Sequence, residues 1–383
     1  MRVVVSPHNV VSFPEGGGHF WVYMQYVQGL RTIGCDVWWM EEFRSCGDSR
    51  QDAARIAGFV KWLEGFGLQD RLILYTASGE ILNLEPRRAR AIALEADLLL
   101  NFHQKIQSWV LEPFRRTALV DIDPGLLQYW IAIGDIAIHP HDLYFTTGET
   151  VGLPWAMFPD CGLPWIRIRP PVSLDLWPFL PAAADRAFTT VSSWWAHEWV
   201  REGDRIIDNN KRAAFLDFAE LPQRTRVPLE LGLMLDPESA FDDADREFLI
   251  RMGWRVRNSS EVATTPIEYR RYIQDSRGEF SCAKPSCMLF QNAWISDRTL
   301  CYLATGRPAV VQNTGPSSIL PSGRGLFRFS TMDEAAAALE EVTANYDTHS
   351  KAARELAELF DARRTAAVIL RHCFEMASTA GTG

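Results

Sequence analysis

The chain has 383 residues, 47% of them hydrophobic and 23% charged, with Gly (25) and Pro (21) in ordinary amounts. That balance supports a sizeable core and excludes disordered, collagen-like and low-complexity classes. The formal net charge of -9 argues against a general nucleic-acid binder, which carries a basic stripe, but leaves room for a small basic pocket around one phosphate group.

At roughly 100–200 residues per domain, the length suggests two domains or one large one. Cys35, Cys46, Cys161, Cys282, Cys287, Cys301 and Cys373 form no CxxC pair, and most of them read as reduced, buried small hydrophobes. The opening apolar run is too short for a signal-peptide core, and no stretch of about 20 apolar residues occurs, so a cytoplasmic protein without a membrane span is expected.

In chain order, residues 2–5 read as a short buried strand, followed by the glycine-rich stretch SFPEGGGH (Ser12–His19). A helical pattern then runs from near His19 to the stop at Gly34, and residues 37–40 make the next strand. This is the β-loop-α-β opening of a parallel sheet. Alternation continues with a helix over 53–66, a strand over 72–77 and a helix over RRARAIALEA. Strands follow at 97–103, 117–123 and 142–149. Ligands of such sheets bind at the carboxyl ends of strands, which is where Asn101, His103, Asp121 and Asp123 fall.

Residues 151–185, rich in Pro, Gly and Trp, read as an inter-domain connection. A second α/β series follows. It has strands at 188–194, 229–235, 254–257, 278–284 and 308–315, helices over YRRYIQDS, 297–306 and DEAAAALEEVTANY, and a mostly helical segment over 348–376. Twelve of the fourteen tryptophans precede residue 200. They are either core packing or the lining of an aromatic pocket for a flat or sugar-like ligand.

Several residues carry candidate chemistry. Gly16, Gly17 and Gly18 remove side chains where a ligand or a facing domain must approach, or simply make a tight turn. GxGxxG and GxxxxGK[ST] signatures are absent. His19, at a helix N-terminus, is held neutral by the dipole and suits a general base. Asp121 or Asp123 could orient it as the third member of a triad, and Glu149 is a further acid at a strand end. In the second half, Ser296 or Asp297 reads as an N-cap. Arg298 then opposes the helix dipole unless an anion shares the site. Lys284 leaves the preceding strand toward the same mouth. Gln312, Asn313 and Thr314 end the next strand beside it, for sugar hydroxyls or for the turn itself. His139 and His141 do not make a metal cluster, and no metal is expected.

These residues resemble GT-B glycosyltransferases: two Rossmann-like halves, GGGH after the first strand, and ATGRPAVVQNTG late in the second. The resemblance covers the whole chain as architecture, and the N-terminal loop and about residues 268–316 as motifs. It implies two Rossmann-like domains facing across a cleft. Residues 1–178 would bind the acceptor and 179–364 the nucleotide-sugar. Residues 365–383 would form a helix crossing back to the first domain, then a loose tail.

Many inverting members pair a Gly-His in the first loop with an Asp about a hundred residues on, as Gly18-His19 and Asp121 do. Many retaining members carry two glutamates eight apart, where this chain has Ala293 and Cys301. That departure favours inversion and leaves donor-ribose recognition unassigned, with Asp297 a possible substitute. The implied reaction is transfer from a nucleotide diphosphate-sugar co-substrate to an acceptor hydroxyl, metal-independent and without a cofactor. The diphosphate would lie near Lys284, Ser296 and Arg298, and a small-molecule acceptor is favoured over nucleic acid or membrane lipid. A sugar-nucleotide epimerase and a non-catalytic sugar-nucleotide or partner-binding protein of the same fold stay open.

Overall fold

The computed structural model describes residues 1–374. Two compact units divide the chain: Met1–Gly152, Phe158–Ser173 and the segment from Ala362 form unit 1, and Leu153–Met157 with Leu174–Asp361 form unit 2. The main boundaries fall at 173/174 and 361/362, a few residues before the 178/179 and 364/365 expected from sequence.

Unit 1 is a seven-stranded parallel sheet. Its strands are β1 (Arg2–Ser6), β2 (Asp36–Glu42), β3 (Leu72–Tyr75), β4 (Leu98–Asn101), β5 (Thr117–Asp121), β6 (Leu143–Thr146) and β7 (Trp165–Arg167). They lie in the order β3-β2-β1-β4-β5-β6-β7. Val3–Val5 and Leu98–Leu100 are solvent-free on both faces of the sheet, the pattern that helices on both sides demand.

The crossover helices are α1 (Gly17–Thr32), α2 (Ser49–Glu64), α3 (Pro86–Glu95), α4 (Ser108–Leu111) and α5 (Leu126–Ala132). Asp48 caps α2 by accepting from the N–H groups of Arg50 and Gln51. Strand β7 lies inside the stretch that the sequence suggests is only a connection. Its three residues are at most half-buried at the sheet edge, so they carry no periodic apolar signal.

Unit 2 repeats the plan with β8 (Phe188–Ser193), β11 (Leu229–Met234), β12 (Arg255–Asn258), β13 (Gly278–Ser281), β14 (Ala309–Gln312) and β15 (Leu326–Phe329). Their order is β12-β11-β8-β13-β14-β15. It matches the first six strands of unit 1, the doubly wound order whose switch point lies between the first and fourth strands. Between β8 and α6 (Lys211–Leu216) sits an antiparallel hairpin of β9 (Trp199–Glu202) and β10 (Arg205–Asp208). The sequence reading does not anticipate it, although Gly203-Asp204 between two short apolar runs is a hairpin signal.

The remaining helices of unit 2 are α7 (Ala240–Met252), α8 (Ser259–Val262), α9 (Pro266–Gln274), α10 (Pro285–Phe290), α11 (Asp297–Ala304), α12 (Met332–Ala344) and α13 (Tyr346–Ala357). Helix α14 (Ala362–Phe374) then joins unit 1 and packs on α1. It is tied down by Ala362 N–H to the Val172 carbonyl (2.9 Å) and by Thr365 Oγ1 to the Arg169 carbonyl (3.0 Å). The expected tail lies outside the described residues. Among those described, no helix is long and apolar enough to cross a membrane.

Three tryptophans of unit 1 serve its core. Trp21, Trp38 and Trp39 are buried, and Phe20 stacks on Trp39 with centroids 5.7 Å apart. The open tryptophans are instead Trp109, Trp155 and Trp195.

The α1–α14 contact hinges on Gly29. A Cβ there would lie 2.4 Å from the Ala362 carbonyl oxygen, a backbone atom that cannot swing aside. Gly29→Ala should therefore cost about 1–3 kcal/mol as an overpacking change, read as a lower urea midpoint, despite the higher helix propensity of alanine.

Candidate functional site

Each sheet gathers polar groups at its switch point. In unit 1, Pro7 to Gly16 connect β1 to α1, and the three glycines do not form a loop of their own. Gly16 caps α1, and Gly17 and Gly18 are its first residues. Gly16 is required because a Cβ would lie 2.3 Å from the Phe13 ring, which is a packing reason.

His19 sits in the first turn of α1, half-buried. Its Nε2 lies 2.7 Å from the carbonyl oxygen of His8. A carbonyl can only accept, so Nε2 carries the proton and Nδ1 keeps the lone pair. Burial lowers the His19 pKa, against the opposing effects of the His8 carbonyl and the charge of Asp123. The imidazole is thus neutral near neutral pH, as a base must be.

The expected partner Asp121 does not touch His19. It ends β5 fully buried and accepts from Gln128 Nε2 (2.8 Å), Thr146 Oγ1 (2.7 Å) and the Asp123 N–H (3.0 Å). Burial pushes its pKa up to about 6. Asp121 therefore braces the ends of β5 and β6, and Asp123 is the acid whose charge reaches the imidazole. Glu149 follows β6, half-buried, in a turn where a Cβ on Gly148 would lie 2.3 Å from Pro124. The turns after β5 and β6 are therefore in contact.

His103, after β4, stacks on His8 with centroids 4.3 Å apart. Burial lowers the pair to about 4 and about 3 respectively. Asn101 is internal: its amide donates to the His103 carbonyl and to His141 Nε2, 3.1 Å each.

In unit 2, Ser296 caps α11 by accepting from the Arg298 N–H (3.3 Å). Arg298 does not face a free anion site. It is buried, with Nε donating to Glu279 Oε1 (2.8 Å), Nη1 to the Val191 carbonyl (2.8 Å) and Nη2 to Ser281 Oγ. Burial alone would lower its pKa, but the Glu279 carboxylate outweighs that and raises it. The guanidinium thus clamps β8, β13 and α11 at the switch point.

Lys284 caps α10 and pairs with Glu198 at 2.7 Å, at the root of the inserted hairpin. Asp297 is half-buried in the first turn of α11. Asn313 Oδ1 accepts from the Gly315 N–H, serving its own turn.

Ser296, Gln312 and Thr314 do come together. They line a small hollow with Cys282, Ala283 and Trp294. Gln312 Oε1 accepts from the Ala283 N–H (2.9 Å), and Thr314 Oγ1 donates to the Trp294 carbonyl (2.7 Å). Gln291 and Ala293 adopt left-handed φ of 47° and 56° beside this hollow, and such non-glycine strain persists only where the surroundings enforce it. Here the Ala293 N–H donates to the Thr314 carbonyl.

The residue missed by sequence reasoning is Lys211. It opens α6 and is buried. Its Nζ donates to the Cys282 carbonyl and lies 5.6 Å from the Trp294 ring centroid. Burial, then the charge of Arg298, lowers its pKa to about 7. Among the described residues no carboxylate pairs with it. The signal existed: a lysine directly after the Asn210 cap opposes the helix dipole, the same logic that singles out Arg298.

No protein-family model matches the sequence, nor does any curated protein. Solved structures match over nearly the whole chain. Sucrose-phosphate synthase from Thermosynechococcus elongatus aligns at TM-score 0.56 and 12% identity, covering 99% of this chain and 100% of that one. HepE of Anabaena, solved with UDP and glucose, aligns at 0.54 and 13%, covering 100% of both. An alpha-glucosyltransferase solved with UDP-glucose and DNA containing an abasic site aligns at 0.60 and 12%, covering 97% and 99%.

The fold is that of the GT-B glycosyltransferases. Within this GT-B frame, Ala293 and Cys301, neither of which carries a carboxylate, are both buried.

The clamp role of Arg298 has a measurable consequence. Arg298→Met leaves Glu279 buried without its partner and should cost about 3–5 kcal/mol. Adding Glu279→Gln should restore most of that, because the buried charge is gone. Urea unfolding of the two variants measures both.

Proposed function

We propose that this protein is a glycosyltransferase that moves a sugar from a uridine diphosphate-sugar to an acceptor hydroxyl. The observation that carries the reading is Lys211. A buried ammonium without a carboxylate is unfavourable unless a ligand supplies the negative charge. Its Nζ reaches Cys282 and Trp294, two residues that line a hollow whose Ser296, Gln312 and Thr314 carry hydroxyl and amide groups. A diphosphate meets that need. A uridine base is the choice supported by the UDP and UDP-glucose bound in the similar structures.

In the reaction, the acceptor oxygen forms a bond to the anomeric carbon as the bond from that carbon to the diphosphate oxygen breaks. The acceptor proton passes to Nδ1 of His19. The electron pair leaves with the diphosphate, where Lys211 stabilises it. As a single displacement this inverts the anomeric carbon, and it requires no metal. Unit 1 binds the acceptor and unit 2 the donor. The chain's net charge of -9 disfavours a polyanionic acceptor.

A second reading, a sugar-nucleotide-binding protein without turnover, is favoured by Ala293 and Cys301, which stand where many retaining members carry two glutamates. His19→Ala separates the two. A transferase loses turnover and keeps UDP affinity, whereas a binder shows no turnover in either form.

Thermal shift and calorimetry with UDP test the donor site. UDP at a hundred times its dissociation constant should stabilise the protein by about 2.7 kcal/mol, and Lys211→Met should abolish the shift. Since Lys211 titrates near 7 and the bound diphosphate favours its charged form, binding at pH 7.5–8 should take up a proton. Affinity should accordingly weaken as pH rises from 6.5 to 9. Equal heats in buffers of different ionisation enthalpy would count against Lys211.

A further inference from the structure

Glu41 lies near the end of β2, in the run DVWWMEE, and is fully buried. A carboxylate there is unfavourable unless donors surround it, and three do. Oε1 accepts from the Val10 N–H (2.5 Å) and the Val11 N–H (2.9 Å), and Oε2 from Trp39 Nε1 (2.9 Å). No cation pairs with it among the described residues. All three contacts are N–H donors, which an acceptor-only carboxylate suits.

Val10 and Val11 occupy the middle of the β1–α1 connection, which has no ladder to hold it. Within it, Phe13 N–H bonds the Val10 carbonyl and Gly16 N–H the Phe13 carbonyl, and Ser12 Oγ accepts from the Arg44 N–H (2.9 Å). The connection is therefore wound around the Glu41 carboxylate. Asn9, with a left-handed φ of 59°, turns the chain between Val10 and His8. The His8 carbonyl then takes the His19 Nε2–H (2.7 Å) and the Tyr23 hydroxyl (3.3 Å).

We propose that Glu41 is a positioning residue for His19. By anchoring Val10 and Val11 it fixes the His8 carbonyl, which selects the Nε2–H tautomer and leaves Nδ1 as the basic atom. This deepens the proposed function and rests on its reading of His19 as the base.

Histidine tautomers are read directly by long-range 1H–15N NMR of the whole protein, without substrate. Wild type should show His19, assigned by its absence in His19→Gln, as the Nε2–H form. Glu41→Gln keeps an acceptor oxygen for Val10 and Val11 while turning its amide N–H against the Trp39 Nε1–H, and should retain that form because the His8 carbonyl is held through Val10 and Val11. Glu41→Leu removes the acceptor and should give a mixture of tautomers, with the His19 pKa changed. Near-UV circular dichroism of the Trp39–Phe20 core checks folding. If Glu41→Leu does not fold, Glu41→Asp, which withdraws the carboxylate by one methylene, should give the same mixture.

Turnover of UDP-glucose supplies the second readout: kcat should fall at least tenfold in the variant with mixed tautomers, with KM for the donor unchanged. A folded Leu or Asp variant whose His19 stays wholly Nε2–H overturns the proposal, as does a Gln variant altered as much as the Leu variant. If the tautomers respond as stated while His19→Ala retains turnover, the positioning stands and the base reading fails.

Discussion

A parallel sheet sends the carboxyl end of every strand to the same edge, and this constraint organises everything else in the molecule. In both units the strand order reverses between the first and fourth strands, so the crossover helices diverge there and open a crevice. The connections after β1 and β4, and after β8 and β13, have no ladder partners at that point. They must be held by side chains instead. Glu41 and Asn101 do this in unit 1, and Gln312, through the Ala283 N–H, does it in unit 2.

That division of labour explains which chemistry remains for a ligand. Arg298 and Lys211 are both buried cations of the same switch point, yet they differ in kind. Arg298 has a carboxylate and two oxygen acceptors and is complete within the protein. Lys211 has a carbonyl and the face of an indole, neither of which neutralises it. The first is part of the scaffold and the second is part of a site. The contrast follows from one residue, Glu279, fully buried on β13.

Most of the architecture is legible in local sequence. The valine run of β1, the glycine stop after α1 and the Ser296 cap of α11 are signals contained within a few residues. The two Rossmann-like halves follow from them. What is not legible depends on pairs distant in the chain. Arg298 looks like an anion ligand until Glu279, nineteen residues away, is placed beside it. Asp121 looks like a partner for His19 until Thr146, twenty-five residues on, takes its carboxylate. Strand β7 has too few buried residues to show a period, and Lys211 is masked by the unanticipated hairpin that precedes it.

The return of α14 to unit 1 has a consequence for how the protein is made. Strand β7 leaves the ribosome some 190 residues before α14 does, about 10–40 s at ordinary bacterial elongation rates. Throughout that interval the face of α1 around Gly29 has no cover, while the whole of unit 2 is being synthesised and can fold. Unit 1 is thus the first to begin folding and the last to finish. Its nascent form exposes an apolar helix face on which a chaperone, or a second nascent chain, could settle.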